Sequence, residues 1–383
     1  MTRLAIVRGK FLNAFDMQSY EPLVKKYDMT AFGSLFPYHS RFVFPTLKLP
    51  SPMDVPAFPY KMQLLNRLYI DAHHLFGLEN QLKGIDVVDT AETYFYFSKQ
   101  AMLAKQRGFV KRVIVRVYEN IPLNNEGIWG RKALKAYVRR YADHFIAISE
   151  KSKDALKKEG VISNKITVIG HGIDTKRFFP DKDHRRRLGR KNTDLMTILF
   201  VGRLEREKGV YDVIDAMRIV LQKTNIPQTN LIFAGRGSEE SRMKKIIKRY
   251  GLDTQTSFVT VPYPDMPDLY RQADIVVAPS KCTKTWKEQF NIALLEAQSM
   301  GLPIVTTRSG AIPENVGDAA LFCVEGDSQS LSQQMIRFIQ NPSLRVQYGR
   351  MARRRAIHVH DINIIAHKLD QVIARSVTTK QSL

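Results

Sequence analysis

The sequence predicts an α/β protein of two domains, each a parallel sheet with helices on both faces. Three observations carry that reading. A chain of 383 residues exceeds what one core ordinarily organises. Short apolar runs alternate with amphipathic stretches along most of its length. A polar, basic run at residues 180–193 interrupts the alternation once, after which it restarts. A hydrophobic fraction of 44% with modest Gly and Pro excludes a disordered or fibrous chain.

Taken in order, residues 4–7 are an apolar run that stops at Gly9, a first buried strand and its loop. Prolines scattered between residues 10 and 60 predict irregular connections between short strands. Residues 60–76 have helical periodicity, with Met62, Leu65, Leu68, Tyr69 and Ala72 on one side. A strand follows at 85–88, a helix at 98–107, a strand at 113–117 and a basic helix at 128–141. Strand 145–148, helix 151–158 and strand 166–169 complete the first half. Beyond the linker, strands at 197–201, 231–234, 257–261, 275–278 and 303–306 alternate with helices at 211–222, 239–250, 266–273 and 290–300. Asp361 would cap a last helix that places Ile362, Ile365, Leu369 and Val372 on one face. The expected domains are 1–180 and 190–361.

The charge balance, 59 Lys plus Arg against 37 Asp plus Glu, gives +22 and favours an anionic partner. Nucleic acid, an acidic bilayer and phosphorylated substrates all satisfy it. Cys282 and Cys323 form neither metal-ligand spacing nor a disulfide framework, as expected in a reducing compartment. The N-terminal apolar run is too short for a signal peptide, and no stretch reaches the roughly 20 apolar residues of a membrane span.

Polar residues cluster where the strands of the second half end, and ligands bind at that edge of such sheets. Strand 197–201 runs into Gly202-Arg203, with Lys208 in the same loop, two cations able to converge on a diphosphate. Strand 231–234 runs into Gly235-Arg236-Gly237, where small residues let a ligand or another backbone approach closely. The third glycine of a dinucleotide fingerprint is missing, which argues against a nicotinamide cofactor. Glu288 and Glu296 stand eight apart around the predicted 290–300 helix, whose N-terminus offers N–H groups to an anion. Two carboxylates so placed would face one elongated polar ligand from the mouth and the flank of the helix.

The order of these pieces resembles glycosyltransferase family 4. The resemblance covers residues 145 to about 350 through Gly170-His-Gly-Ile-Asp174, Gly202-Arg-Leu with Lys208-Gly209, Ala234-Gly-Arg-Gly237, the Glu288…Glu296 pair, Gly301-Leu-Pro303 and Gly310-Ala-Ile-Pro-Glu314. It implies the GT-B fold, two Rossmann-like parallel-sheet domains facing across a cleft, with the helix of about 362–383 packing back on the first domain. Residues 1–180 would then bind the acceptor and 190–361 the nucleotide-sugar donor. Arg203 and Lys208 would neutralise the departing diphosphate, and Glu288 would hold the donor sugar. Glu296 would take the ribose hydroxyls, and the backbone of Phe290, Asn291 and Ile292 would meet the phosphates. The family retains anomeric configuration and generally needs no metal, so no cofactor is expected beyond a UDP-, GDP- or ADP-sugar substrate. Asp181-Lys182-Asp183 reads as a solvated turn in the linker.

The first half matches the family less. Its usual glycine pair after the first strand is here a single Gly9, followed by Lys10 and Asn13. Where many members carry a histidine, this chain has Glu119-Asn120, and Glu119 either contacts sugar or acceptor or caps the next helix. His171 replaces an asparagine in the 170–174 turn, and His73 and His74 read as surface or core residues. The basic helix, with Arg131, Lys132, Lys135 and Arg139 around an apolar side, suits an anionic bilayer surface. The expected activity is transfer of a hexose to a cell-surface glycan, glycolipid or polyprenyl-linked acceptor, in the cytoplasm and peripherally at the membrane. The alternatives are an epimerase of the same fold and a non-catalytic binder whose basic surface takes nucleic acid; on the leading reading no nucleic-acid partner is expected. The oligomeric state is not encoded in these features.

Overall fold

The computed structural model describes residues 1–181, 189 and 195–378, so most of the 180–193 run, with Lys182 and Asp183, lies outside the described residues. The chain forms two compact units. One holds Met1–Gly172 and the chain from Ile362 onward, and the other is Ile173–Asp361. The division at Gly172 precedes the basic run.

The first unit is a seven-stranded sheet of β1 (Thr2–Gly9), β2 (Tyr27–Ser34), β3 (Thr46–Leu49), β4 (Ile85–Ala91), β5 (Val110–Val117), β6 (His144–Ala147) and β7 (Ile166–Val168). Their order is β3-β2-β1-β4-β5-β6-β7, and every pair is parallel. Alternate residues serve opposite faces, as the two-residue strand period requires. Ala5, Val7, Val88, Val113 and Val115 pack against one set of helices. Leu4, Ile6, Val87, Ile114 and Ile146 pack on the other side, where the last helix, Ile362–Thr378, contributes Ile365, Leu369, Val372 and Ile373. Asp370 of that helix accepts from Lys26 Nζ and from the Tyr27 hydroxyl, both at 2.6 Å. The predicted apolar face of the last helix is the buried one.

The second unit repeats the plan with β8 (Met196–Val201), β9 (Thr229–Ala234), β10 (Thr256–Val259), β11 (Ile275–Ala278), β12 (Ile304–Thr306) and β13 (Leu321–Phe322), in the order β10-β9-β8-β11-β12-β13 and again all parallel. In both sheets the order reverses once, between β1 and β4 and between β8 and β11. Loops diverge at such a reversal and leave a crevice at the carboxyl ends of the strands.

Three expectations change. The predicted 60–76 helix is only Lys61–Leu68, and of its expected inner face Leu65 and Ala72 are buried while Met62 and Leu68 are exposed. Beyond it the chain must turn extended at Tyr69 to bring Asp71 under the helix Tyr96–Gln106, where its carboxylate accepts from Tyr96 N at 2.8 Å. The basic helix, Arg131–Tyr141, turns three of its five cations inward. Arg131 pairs with Asp71 at 2.9 Å, Lys135 with Glu159 at 2.7 Å and Arg139 with Glu159 at 2.8 Å, leaving Lys132 outside with Arg140. The charge that suggested a bilayer-facing helix is therefore spent inside the protein. Finally, the helix predicted at 290–300 is Ile292–Ser299, because Asn291 has φ 71° and cannot belong to it.

Candidate functional site

At the carboxyl edge of the second sheet, two loops lock together through their backbones. A Cβ on Gly235 would stand 2.0 Å from the carbonyl oxygen of Gly202, and one on Gly237 would stand 2.2 Å from that of Leu204. Of the two uses foreseen for these glycines, the one displayed is the approach of another backbone. Leu204 N donates to Arg236 O at 2.9 Å, and Glu205 accepts from Ser238 N and Oγ at 2.9 and 2.6 Å. This brace fixes the loop that carries Arg203 and Lys208. Arg203 is 57% exposed and donates only to the neighbouring Glu207 at 3.0 Å among the bonds described, so its guanidinium faces solvent.

Lys208 points the other way. Its ammonium donates to Glu288 Oε2 at 2.7 Å and lies 4.9 Å from the ring centre of Trp286. The same carboxylate oxygen accepts from Ser280 Oγ at 2.8 Å and Asn291 Nδ2 at 3.2 Å. Glu288 is thus not on the helix with Glu296; it lies in the coil ahead of it. Its backbone is gripped by the turn after β12, where Gly310 comes so close that a Cβ would stand 1.9 Å from Glu288 O. Asn291 at positive φ strains the junction by about 1–3 kcal/mol, and such strain gathers at working sites. Phe290 is buried, while Asn291 and Ile292 head the helix, whose first N–H groups have no intrahelical acceptor.

Glu296 sits one turn into the helix, buried, and accepts from the Tyr270 hydroxyl at 2.7 Å. Burial pushes its carboxyl up to about 7, against the opposing pull of the Tyr270 bond and the Arg177 charge. Glu288 and Glu296 therefore belong to two separate hydrogen-bond clusters on one sheet edge. One holds a cation and the other a single hydroxyl.

The first sheet's edge is built differently. Arg8, absent from the sequence-based expectations, is buried beside Gly9. It donates to Asp16 and Asp89 at 2.9 Å each and to the Tyr20 hydroxyl at 3.0 Å. Arg116 of β5 donates to that hydroxyl at 3.0 Å, and Tyr118 donates to Asp16 at 3.0 Å. Burial would raise the Asp16 carboxyl, but Arg8 and Arg116 outweigh it and hold it at about 2. His171 is buried and stacked on Tyr118, and burial, with Arg116 and Arg8, pulls its imidazole down to about 4. It is neutral and part of this lattice. Gly9 has φ 57°, with the Phe97 ring 3.1 Å from where a Cβ would lie.

Glu119 is committed to its own loop: Oε1 accepts from Asn120 N and Ile121 N at 2.9 and 2.8 Å, and Oε2 from Asn124 Nδ2 at 2.7 Å. A different carboxyl ends β4. Glu92 is buried at φ 59°, with Oε1 accepting from Tyr118 N and Glu119 N at 2.8 and 3.0 Å. Its Oε2 has no hydrogen-bond partner among the described residues. Burial and then Glu119 push its carboxyl up to about 8, so it carries a proton at neutral pH. The apolar run 85–88 ends the predicted strand three residues early, and carrying it through Ala91 would have placed Glu92 at the ligand edge. Among the described residues no group of three His, Cys, Asp or Glu is disposed to hold a metal ion.

Two family models match in tandem: "Glycosyltransferase Family 4" over residues 38–177 and "Glycosyl transferases group 1" over residues 181–355. The chain belongs to this glycosyltransferase family. Glycogen synthase of Mycobacterium tuberculosis is 30% identical over 244 residues, 63% of this chain and 56% of that protein. The capsular polysaccharide biosynthesis glycosyltransferase CapM of Staphylococcus aureus is 25% identical over 288 residues, 72% of this chain and 74% of CapM. The chain spans about half the length of the first known relatives it matches, 56% of glycogen synthase and 48% of a mannosylfructose-phosphate synthase. In fold it is similar to Anabaena HepE, solved with UDP and glucose, at TM-score 0.76 and 16% identity over 98% of this chain and 100% of that one. It is also similar to sucrose-phosphate synthase of Thermosynechococcus elongatus, at TM-score 0.78 and 18% identity over 99% and 100%. These likenesses give the family the GT-B fold of two Rossmann-like parallel-sheet domains.

Proposed function

We propose that the chain is a retaining glycosyltransferase that moves a hexose from a nucleotide sugar to a glycan or lipid-linked acceptor, without a metal. The observation that carries this is the Lys208–Glu288 pair beside the head of the Ile292–Ser299 helix. In the reaction the C1–O bond to the diphosphate breaks, a C1–O bond to the acceptor hydroxyl forms, and that hydroxyl passes its proton to the departing phosphate oxygen. Charge grows on the diphosphate as it leaves. A lysine already desolvated, with its side chain 15% exposed, meets that charge without first shedding a hydration shell, and Arg203 reaches it from solvent. When Lys208 turns to the phosphates, Glu288 is released to accept from the sugar hydroxyls and balance positive charge at C1. Glu296 takes the ribose hydroxyls, with Tyr270 orienting its second oxygen.

On the first unit, Glu92 rather than Glu119 offers an uncommitted oxygen to a sugar hydroxyl. Glu92→Gln should lower the rate of transfer while keeping the fold, and Glu119→Gln should cost stability with turnover largely kept. The reverse outcome would reassign the role to Glu119.

Binding and turnover against UDP-, GDP- and ADP-sugars test the donor assignment. Lys208→Ala or Glu288→Ala should cut turnover about a hundredfold or more, since ~3 kcal/mol of barrier is that factor. Wild-type rates in either variant would overturn the assignment.

A further inference from the structure

Of the nineteen large apolar side chains left exposed among the described residues, eleven fall between Leu35 and Phe76, so the exposure is concentrated and not scattered. The helix Lys61–Leu68 is at its centre. It buries Leu65 alone and leaves Leu64 47% and Leu68 65% exposed, with Tyr60 at 77% just before it. Hydrogen bonds join this helix to its surroundings as one surface. Lys61 Nζ donates to the carbonyls of Met53 and Val55, and Asp54 accepts from Leu35 N and Phe36 N at 3.1 Å each. On the far side Arg131 donates to Ile70 O at 2.9 Å, which brings up Trp129, 69% exposed. The charges around this apolar ground have one sign. Arg41, Lys48, Arg67 and Lys132 are exposed, whereas of the two acidic residues between positions 35 and 76, Asp54 is occupied by backbone N–H groups and Asp71 is buried and paired with Arg131.

We infer that the surface formed by residues 35–76, centred on the exposed face of the Lys61–Leu68 helix, docks on the headgroup boundary of an anionic bilayer. An apolar strip of Phe36, Tyr60, Leu64, Leu68 and Trp129 enters the acyl boundary, and the flanking cations meet lipid phosphates. A concentrated apolar patch marks an interaction surface, and its uniformly basic surround favours an anionic lipid surface over a soluble partner. The inference moves the membrane contact away from the Arg131–Tyr141 helix, whose cations are internally paired. It rests on the proposed function only in expecting a lipid-linked acceptor.

The test is sedimentation of the full chain with phosphatidylcholine vesicles, with and without a minority of phosphatidylglycerol. Wild type should partition onto the anionic vesicles and release at high salt, and Leu64→Glu/Leu68→Glu should weaken binding at least about tenfold. That double variant should keep the wild-type melting profile and wild-type nucleotide binding, because neither side chain supports the core. Lys132→Glu/Arg140→Glu should weaken binding less than the leucine pair does. The inference falls if wild type ignores anionic vesicles or if only the Lys132/Arg140 variant loses binding. It falls equally if the protein alone is a dimer that the leucine variant dissolves, since a second copy then covers the surface. Donor turnover is measured without vesicles, so failure here leaves the proposed function standing, and loss of donor turnover leaves vesicle binding untouched.

Discussion

The carboxyl edge of the second sheet is held by backbone against backbone, and that of the first by charge against charge. In the second unit, glycines at 235, 237 and 310 let loops touch where no Cβ fits, so the bracing does not draw on the side chains of Lys208 and Arg203. In the first unit, Arg8, Arg116, Asp16 and Asp89 are themselves the brace. An edge braced by glycines can spend its ions on a ligand. One braced by ions must keep them, and what it offers a ligand is the unspent oxygen of Glu92.

The largest test of that contrast is Arg8→Ala, which strands two buried carboxylates. It should destabilise the protein by about 3–5 kcal/mol, as breaking buried pairs does, read by chemical denaturation. A loss below about 1 kcal/mol would mean the lattice is dispensable. Next is a matched pair of glycine substitutions. Gly235→Ala drives a methyl into a carbonyl and should cost at least about 3 kcal/mol, whereas Gly9→Ala meets only a ring edge and a left-handed backbone, at about 1–2 kcal/mol. Equal costs would erase the distinction between the edges. The smallest effect concerns Glu296. Its folded carboxyl titrates at about 7, above the ordinary range, so the folded state keeps a proton that the unfolded chain has released. Stability from that group is therefore present at acid pH and falls as pH rises toward about 7. Ribose hydroxyls need the ionised form, so nucleotide affinity should drop about tenfold for each pH unit below the titration point. Glu296→Gln should flatten that profile, and an unchanged slope would place the proton elsewhere.

The two edges were not equally legible. Lys208 and Gly202 share one loop, and Gly235 and Gly237 another, so short spacings expose both the loop chemistry and its place after a strand. Periodicity nevertheless started the helix at Phe290, two residues early, because Phe290 and Leu294 stand one helical turn apart. The backbone break at Asn291 depends on Asn315, which donates to the carbonyls of Phe290 and Asn291 from a later helix, and no local pattern announces it. In the first unit, Arg8 meets Asp89 81 residues away and Tyr20 meets Arg116 96 away. A charged residue at a strand end reads as solvated until its partner is placed. The basic helix misled for the same reason, since Glu159 lies 24 residues beyond Lys135.

The return of the last helix to the first sheet has a consequence for biosynthesis. Leu4 and Ile6 precede the whole second unit along the chain, yet the core they join includes Leu369 and Ile373, which follow it. One face of the first sheet thus stays wet until the second unit has been translated. The second unit, made later, has its entire core in hand sooner. Folding order then runs opposite to the N-terminal-first sequence usual for domains, and the unit bearing the exposed apolar surface is the one that waits.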